Sequence, residues 1–209
     1  MDLGWRLRNL RWKARVMRRR HKFGAALLRN RIEDARRGGW TGGNAPATRV
    51  GSNPFGAAHY YELDRIFRAV PIHPSDVLVD VGCGKGRVLG YWAGLGNRCV
   101  GLELLEDVAE VAAQRMSRHP NVQVKAGDAL ENLPADGTLY WLFTPFMDGE
   151  HGRSLMQRLS DLLLQMPSPP RLVIYRGRHI GVFESDPRWR VESLDLGLFY
   201  GVSVVAPAG

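Results

Sequence analysis

The chain has 209 residues, 44% of them hydrophobic, which suits one globular domain with a sizeable core. Its apolar runs stay far short of the ~20 residues that cross a bilayer, no apolar leader segment opens it, and its two cysteines, Cys83 and Cys99, suggest neither a disulfide scaffold nor a metal site. The net charge of +8 is concentrated in residues 1–40, where thirteen Lys and Arg face three acids, whereas the remainder holds sixteen against eighteen. A reducing cytoplasm is the expected setting, with at most peripheral contact to a membrane.

Taken in order, the basic arm reads as one or two helices up to Arg37, with a break near Gly24. Its apolar residues split between two faces, Leu3, Leu7, Leu10 and Met17 on one and Trp5, Trp12, Val16 and Phe23 on the other. Three roles compete: a helical extension packed partly on the domain, a helix on an anionic membrane surface, or a contact with RNA phosphates through Arg18-Arg19-Arg20 and Arg36-Arg37. An Arg-rich targeting peptide is a fourth. The sequence leaves these open. Residues 38–57 are rich in Gly, Pro, Ser and Asn and predict a loop, so the expected division is an extension and linker over 1–48 and a domain over 49–209. Tyr60 to Phe67 predicts a helix, with Leu63, Ile66, Phe67 and Val70 at core spacing and Pro71 and Pro74 closing it.

The organising stretch is Asp76 to Leu89. Val77 to Val81 has the length and β-branched content of a buried parallel strand and runs into Gly82, Gly84 and Gly86, then into a helix opening at Arg87. Strand, glycine turn and helix make the first half of a nucleotide-binding βαβ unit. Arg98 to Glu103 predicts a second strand whose terminal acid lies 21 positions beyond Gly82, placed to accept hydrogen bonds from ribose hydroxyls. A helix over Glu106–Arg118, a third strand over Asn121–Asp128 and a fourth over Thr138–Phe143 follow, the fourth ending in Thr144-Pro145-Phe146. Beyond it come a polar loop (Met147 to Gly152), a helix over Ser154–Gln165, a strand over Arg171–Tyr175, and two closing strands, Trp189–Leu194 and Leu198–Val205. The candidate ligand groups all stand at carboxyl ends of strands, where open α/β sheets bind ligands.

Rival nucleotide motifs fit poorly. A dinucleotide fold wants Gly-x-Gly-x-x-Gly, and here the third glycine comes one position early. A P-loop needs Ser or Thr after Gly-Lys, where this chain has Gly86. Asp80 to Gly86 with the downstream acids instead resembles the class I (Rossmann-like) S-adenosylmethionine-dependent methyltransferases, closely over residues 76–146 and loosely over 170–206. That resemblance implies a doubly wound, mostly parallel seven-stranded sheet with a terminal antiparallel hairpin. It also implies S-adenosyl-L-methionine as cofactor, held by Asp80, Gly82, Cys83, Gly84, Gly86, Glu103, Leu104, Asp128, Ala129 and Thr144. On the substrate side it implies Pro145 and Phe146, with Tyr60 and Tyr61 as a lid. Where the family often has Asn, this chain has Thr144, so no side-chain carbonyl stands there to hold an amino group.

Methyl transfer from a sulfonium is an in-line displacement that chiefly needs alignment, and a base only when the nucleophile arrives protonated. Asp148, Glu150 and His151 are the candidates, each equally readable as a solvated loop residue or helix cap. Small metabolites and protein side chains are the favoured acceptors. RNA reached through the basic arm is the alternative, as is an inactive cofactor-binding scaffold.

Overall fold

The computed structural model describes residues 24–42, 56–198 and 200–209. The Arg18-Arg19-Arg20 run, most of the arm's apolar residues and the boundary expected near residue 48 lie outside these.

Helix α1 runs through 24–36 and is followed by α2 (Tyr60–Ala69), β1 (Leu78–Val81), α3 (Arg87–Trp92), β2 (Cys99–Glu103), α4 (Glu106–Met116), β3 (Val122–Ala126), α5 (Ala129–Asn132), β4 (Leu139–Phe143), α6 (Glu150–Leu164), β5 (Arg171–Tyr175), α7 (Gly181–Glu184), β6 (Trp189–Leu194) and β7 (Val202–Pro207). The strands form one seven-stranded sheet in the order β3-β2-β1-β4-β5-β7-β6. The first five pair in parallel, and β7 runs antiparallel to both β5 and β6. The expected doubly wound sheet with its terminal hairpin is what forms.

β1 is buried along its whole length, as a parallel strand covered on both faces must be. Alternate residues serve opposite layers. Leu78, Cys99, Leu139, Trp141 and Tyr175 pack under α2 and α3 with Leu63, Ile66, Leu89 and Trp92. Val79, Val100, Tyr140, Leu142 and Ile174 pack against Met156, Leu159 and Leu163 of α6 and Phe183 of α7. Gly101 is required by a close approach, since a Cβ there would stand 2.5 Å from Leu89 and 2.8 Å from the Cys83 sulfur. Between β1 and β4 the strand order reverses, and the crevice beyond those strand ends is where this topology places a ligand.

The larger boundary shifts are two. α6 starts at Glu150 rather than Ser154, its first-turn acid facing the positive helix end. β7 starts at Val202 rather than Leu198. The four-residue helices α5 and α7 are too short to leave a periodic signal.

The described part of the arm is fastened to the domain. Asp34 is fully buried and accepts from the Thr41 backbone amide (3.0 Å), the Thr41 hydroxyl (2.7 Å), the Tyr60 hydroxyl (2.9 Å) and the Arg87 guanidinium (3.0 Å). Arg37 donates to the Gly90 carbonyl at 2.6 Å, and Arg115 donates to the carbonyls of Lys85 and Arg37. Over residues 24–42, therefore, the packed extension is the reading the contacts support.

Candidate active site

The three loop glycines adopt left-handed backbone, with φ of 79° at Gly82, 53° at Gly84 and 74° at Gly86. An L side chain in that region costs about 1–2 kcal/mol per residue, so the alternation of glycines follows from the turn itself. The loop is pinned to the second strand: Gly82 and Cys83 amides donate to the Leu102 carbonyl at 2.8 and 3.0 Å. A Cβ on Gly82 would meet only Pro145, at 3.9 Å, so this glycine opens onto the gap between the first and fourth strand ends.

Glu103 joins the neighbouring turns. Its carboxylate accepts from the Gly84 amide (2.8 Å) and the Leu105 amide (3.0 Å), while its own carbonyl accepts from Gly127 (2.9 Å). Two amides use half of a carboxylate's accepting capacity and leave sites for two further donors. Leu104 sits in the turn that follows, half-buried. Asp80, 3% exposed, differs: no hydrogen-bond donor among the described residues meets its carboxyl. Burial, reinforced by the Glu103 charge, pushes its pKa well above the usual carboxylate range.

Asp128 caps α5, accepting from the Leu130 amide at 2.8 Å, with Ala129 half-buried beside it. Thr144 has φ of 49°, a left-handed conformation unusual for a β-branched residue and a sign of strain at the end of β4. Phe146, 8% exposed, turns into the core layer under α6. Tyr60 is 1% exposed with its hydroxyl spent on Asp34. The Cys83 thiol, sealed against Gly101 and flanked by Asp80 and Glu103, is pushed well up by burial, and Cys99 is pushed up to about 12. Neither is a thiolate nucleophile near neutral pH.

Of the expected substrate-side residues, only Tyr61 reaches the open cavity. This cleft, of about 350 Å³, is lined among others by His59, Tyr61, Glu62, Arg87, Phe143, Arg176 and Tyr200. It touches the glycine loop through Arg87, the residue after Gly86, and the fourth strand end through Phe143, the residue before Thr144. Glu62 accepts from the hydroxyls of Tyr175 (2.5 Å) and Tyr61 (3.3 Å) and from the His59 amide (2.8 Å). The His59 ring receives the Asn30 side-chain amide at 2.5 Å, and burial lowers its pKa, with Glu62 opposing and Arg87 reinforcing. It is therefore neutral at physiological pH. The candidate bases stand elsewhere: Asp148 pairs with Arg178 at 3.1 Å and is 70% exposed, and Glu150 and His151 are exposed on the first turn of α6.

Sequence reasoning did not single out His59, Glu62, Arg87, Arg176 or Tyr200. The His59–Glu62 pair carried a signal, a capping spacing of three residues ahead of an apolar helix, and Arg87 directly follows the glycine loop. Arg176 and Tyr200 are brought in by strand pairing alone, the Arg176 amide donating to the Gly201 carbonyl at 2.9 Å.

Residues 78–163 match the model of the methyltransferase domain family. A ribosomal RNA small subunit methyltransferase A from Thermotoga maritima is 35% identical over 72 residues, 34% of this chain and 26% of that protein. A probable counterpart from Methanosarcina acetivorans is 32% identical over 69 residues, 33% of this chain and 26% of that protein. This chain thus spans about a quarter of the length of those relatives. Among solved structures, an RNA methyltransferase from Salinibacter ruber in complex with S-adenosyl-L-homocysteine aligns with a TM-score of 0.56 at 22% identity, over 73% of this chain and 95% of that one. A second solved structure, from Pseudomonas syringae, aligns with a TM-score of 0.54 at 17% identity, over 71% of this chain and 99% of that one. The sheet order, the glycine turn closed by Glu103 and the match of residues 78–163 to the methyltransferase domain family agree, and the fold is that of the Rossmann-like methyltransferases.

Proposed function

We propose that this protein transfers a methyl group from S-adenosyl-L-methionine to an acceptor admitted through the cavity beside α2. The observation that carries the reading is the pair of buried carboxyls at the first two strand ends, Asp80 and Glu103, around a glycine turn open towards Pro145. Their chemistry fits the cofactor. Glu103 has accepting capacity left for two ribose hydroxyls after serving Gly84 and Leu105. Asp80, buried without a donor, suits the positive charge of an α-ammonium, which would offset both its desolvation and its proximity to Glu103. The bare backbone of Gly82 leaves room for the amino-acid portion of the ligand.

When bound, the cofactor supplies an electrophilic methyl carbon, which bonds to the acceptor's lone pair as the carbon–sulfur bond breaks and its electrons leave with sulfur. The chain's task is alignment. Thr144 and Pro145 stand at the fourth strand end next to Gly82, between the cofactor turn and the Phe143 side of the cavity. A protonated acceptor releases its proton as it is methylated, and a neutral His59 on the cavity wall is in the right form to direct an acceptor by hydrogen bonding.

RNA as the acceptor is a second reading, favoured by the names of the relatives over residues of this domain and by the thirteen basic residues of 1–40. The same basic residues would favour an anionic membrane surface as a partner. Among the described residues no helix is long and apolar enough to cross a membrane.

Purified protein incubated with labelled methyl donor and a cell lysate, then separated into protein, RNA, lipid and small-molecule fractions, tests the reading. Label in one fraction identifies the acceptor class. Binding of S-adenosyl-L-homocysteine with no label transferred in any fraction would leave a cofactor-binding scaffold.

A further inference from the structure

The cavity beside α2 has a chemistry of its own. Its walls carry the rings of Tyr61, Phe143 and Tyr200, and its volume of about 350 Å³ lies near the lower end of small-molecule pockets, enough for one or two fused rings. Tyr200 leans on the Phe143 and Tyr175 rings, with centroids 6.3 and 5.6 Å apart, so that wall is a braced aromatic surface rather than a single side chain. Three of the charged residues on the lining are Glu62, Arg87 and Arg176. The first two are satisfied by the protein itself. Glu62 accepts from three donors, and Arg87 is ion-paired with Asp34 while donating to Thr41 and the Ala58 carbonyl. Arg176 is not. Its guanidinium lies 4.6 Å above the Tyr200 ring and makes no ion pair with an Asp or Glu among the described residues.

The backbone strengthens the point. Arg176 follows β5 with φ of 59°, a conformation that disfavours any residue with a Cβ, although Gly177 stands next to it. A guanidinium lying over an aromatic face can still turn N–H groups outward to grip a carboxylate or phosphate while a second flat group packs on the neighbouring aromatic surface.

We infer that the cavity is an acceptor subsite for a planar aromatic ring carrying an anionic group, the ring packed on Tyr61, Phe143 and Tyr200 and the anion held by Arg176. Phe143 immediately precedes the Thr144-Pro145 turn that faces Gly82, so a ring seated there lies beside the methyl-donor cleft. The inference rests on the methyl-transfer reading above. The same chemistry is found in a free aromatic carboxylate or nucleotide and in a nucleotide of RNA.

The test uses the full chain saturated with S-adenosyl-L-homocysteine, whose binding is measured first by calorimetry. Ring probes are then titrated in pairs that differ in charge: 4-hydroxybenzoate against 4-methylphenol, adenosine 5′-monophosphate against adenosine, and, as a separate arm, a short single-stranded RNA. The anionic member of a pair is expected to bind at least about tenfold more tightly, as a charged hydrogen bond implies. Arg176→Gln should abolish that preference, and Arg176→Lys should restore part of it, both with unchanged homocysteine-ligand affinity and melting temperature. Loss of RNA binding in Arg176→Gln, with the small probes inert, assigns the ring and anion to a nucleotide of RNA. Measurable but equal binding of the charged and neutral probes to the unaltered chain overturns the inference, as do inert probes together with RNA binding that Arg176→Gln leaves unchanged, or an Arg176→Gln protein that keeps the preference. Failure of the homocysteine ligand to bind overturns the methyl-transfer reading itself and the acceptor assignment with it.

Discussion

Two buried aspartates are treated in opposite ways by this fold. Asp34 is met by four donors from Thr41, Tyr60 and Arg87. Asp80, almost as deeply buried, meets none among the described residues, and its pKa rises under desolvation and the Glu103 charge. A saturated buried carboxylate is structure, tying α1 to the start of α3. A starved one is unfavourable to the fold by itself and becomes favourable only when something positive arrives. On the cofactor reading proposed above, the contrast separates the part of the polar interior that builds the domain from the part that would serve a ligand.

The largest effect should follow from breaking the saturated site. Asp34→Ala leaves the Arg87 charge buried, 4% exposed, without its counter-ion, and loss of one partner of a buried pair costs about 3–5 kcal/mol. Urea unfolding should show that loss. Deletion of residues 1–40 removes the same carboxylate and should give an insoluble or unfolded chain, whereas a cut before Gly24 spares it. A change below about 1 kcal/mol in Asp34→Ala would mean Arg87 finds water instead, and the two aspartates would no longer contrast.

Glu103 stands between the two cases, half satisfied by Gly84 and Leu105. Glu103→Ala should weaken S-adenosyl-L-homocysteine binding about tenfold or more, since a charged acceptor contributes ~1.5–3 kcal/mol. Calorimetry giving an unaltered affinity would remove the ribose role.

Most of the fold, and with it the glycine turn and strand ends of the candidate site, were legible in the chain because they depend on local order. Buried parallel strands write themselves as short apolar runs, and the Gly82-to-Glu103 spacing follows from one βαβ unit. The saturated aspartate was not legible. Asp34 lies 53 positions from Arg87 inside a segment dominated by its basic residues, so its charge looked like a minor correction to the arm. The cavity fared similarly, since Tyr61, Arg87, Phe143, Arg176 and Tyr200 meet only through the pairing of β1 with β4, β4 with β5 and β5 with β7. Tyr60 and Tyr61, adjacent in sequence, show the limit plainly. One residue of helical phase, about 100°, places the first in the core on Asp34 and the second on the cavity wall.

Asp80→Asn should sharpen the comparison by moving stability and binding in opposite directions. The folded-state pKa of Asp80 is raised, so its stabilising contribution is fully present below the unfolded carboxylate value of about 3.9 and is lost as pH rises through the folded value. Burying this carboxyl, whether it stays ionised or takes up a proton, opposes folding at neutral pH relative to an amide, and Asp80→Asn should therefore stabilise the free protein. The same change should weaken binding of the ammonium-bearing cofactor. For the unaltered protein, affinity should fall as pH drops below the folded-state pKa, with a proton released on binding there. A variant destabilised at pH 7 would show that Asp80 is held by the fold after all.

The smallest effects are expected at Asp148, Glu150 and His151. Asp148 forms an exposed pair with Arg178, worth at most about 1 kcal/mol, and the other two are solvated on the first turn of α6. Each Ala variant should keep its unfolding free energy within about 0.5 kcal/mol, and its transfer rate within about twofold, because none of the three lines the cavity. A general base is worth about a hundredfold or more, so the two outcomes are well separated. A loss of that size in any one of them, measured with the acceptor identified by label transfer, would bring the nucleophile in from the α6 side of the Thr144 turn. Arg176 would then be left facing a cavity that the reaction does not use.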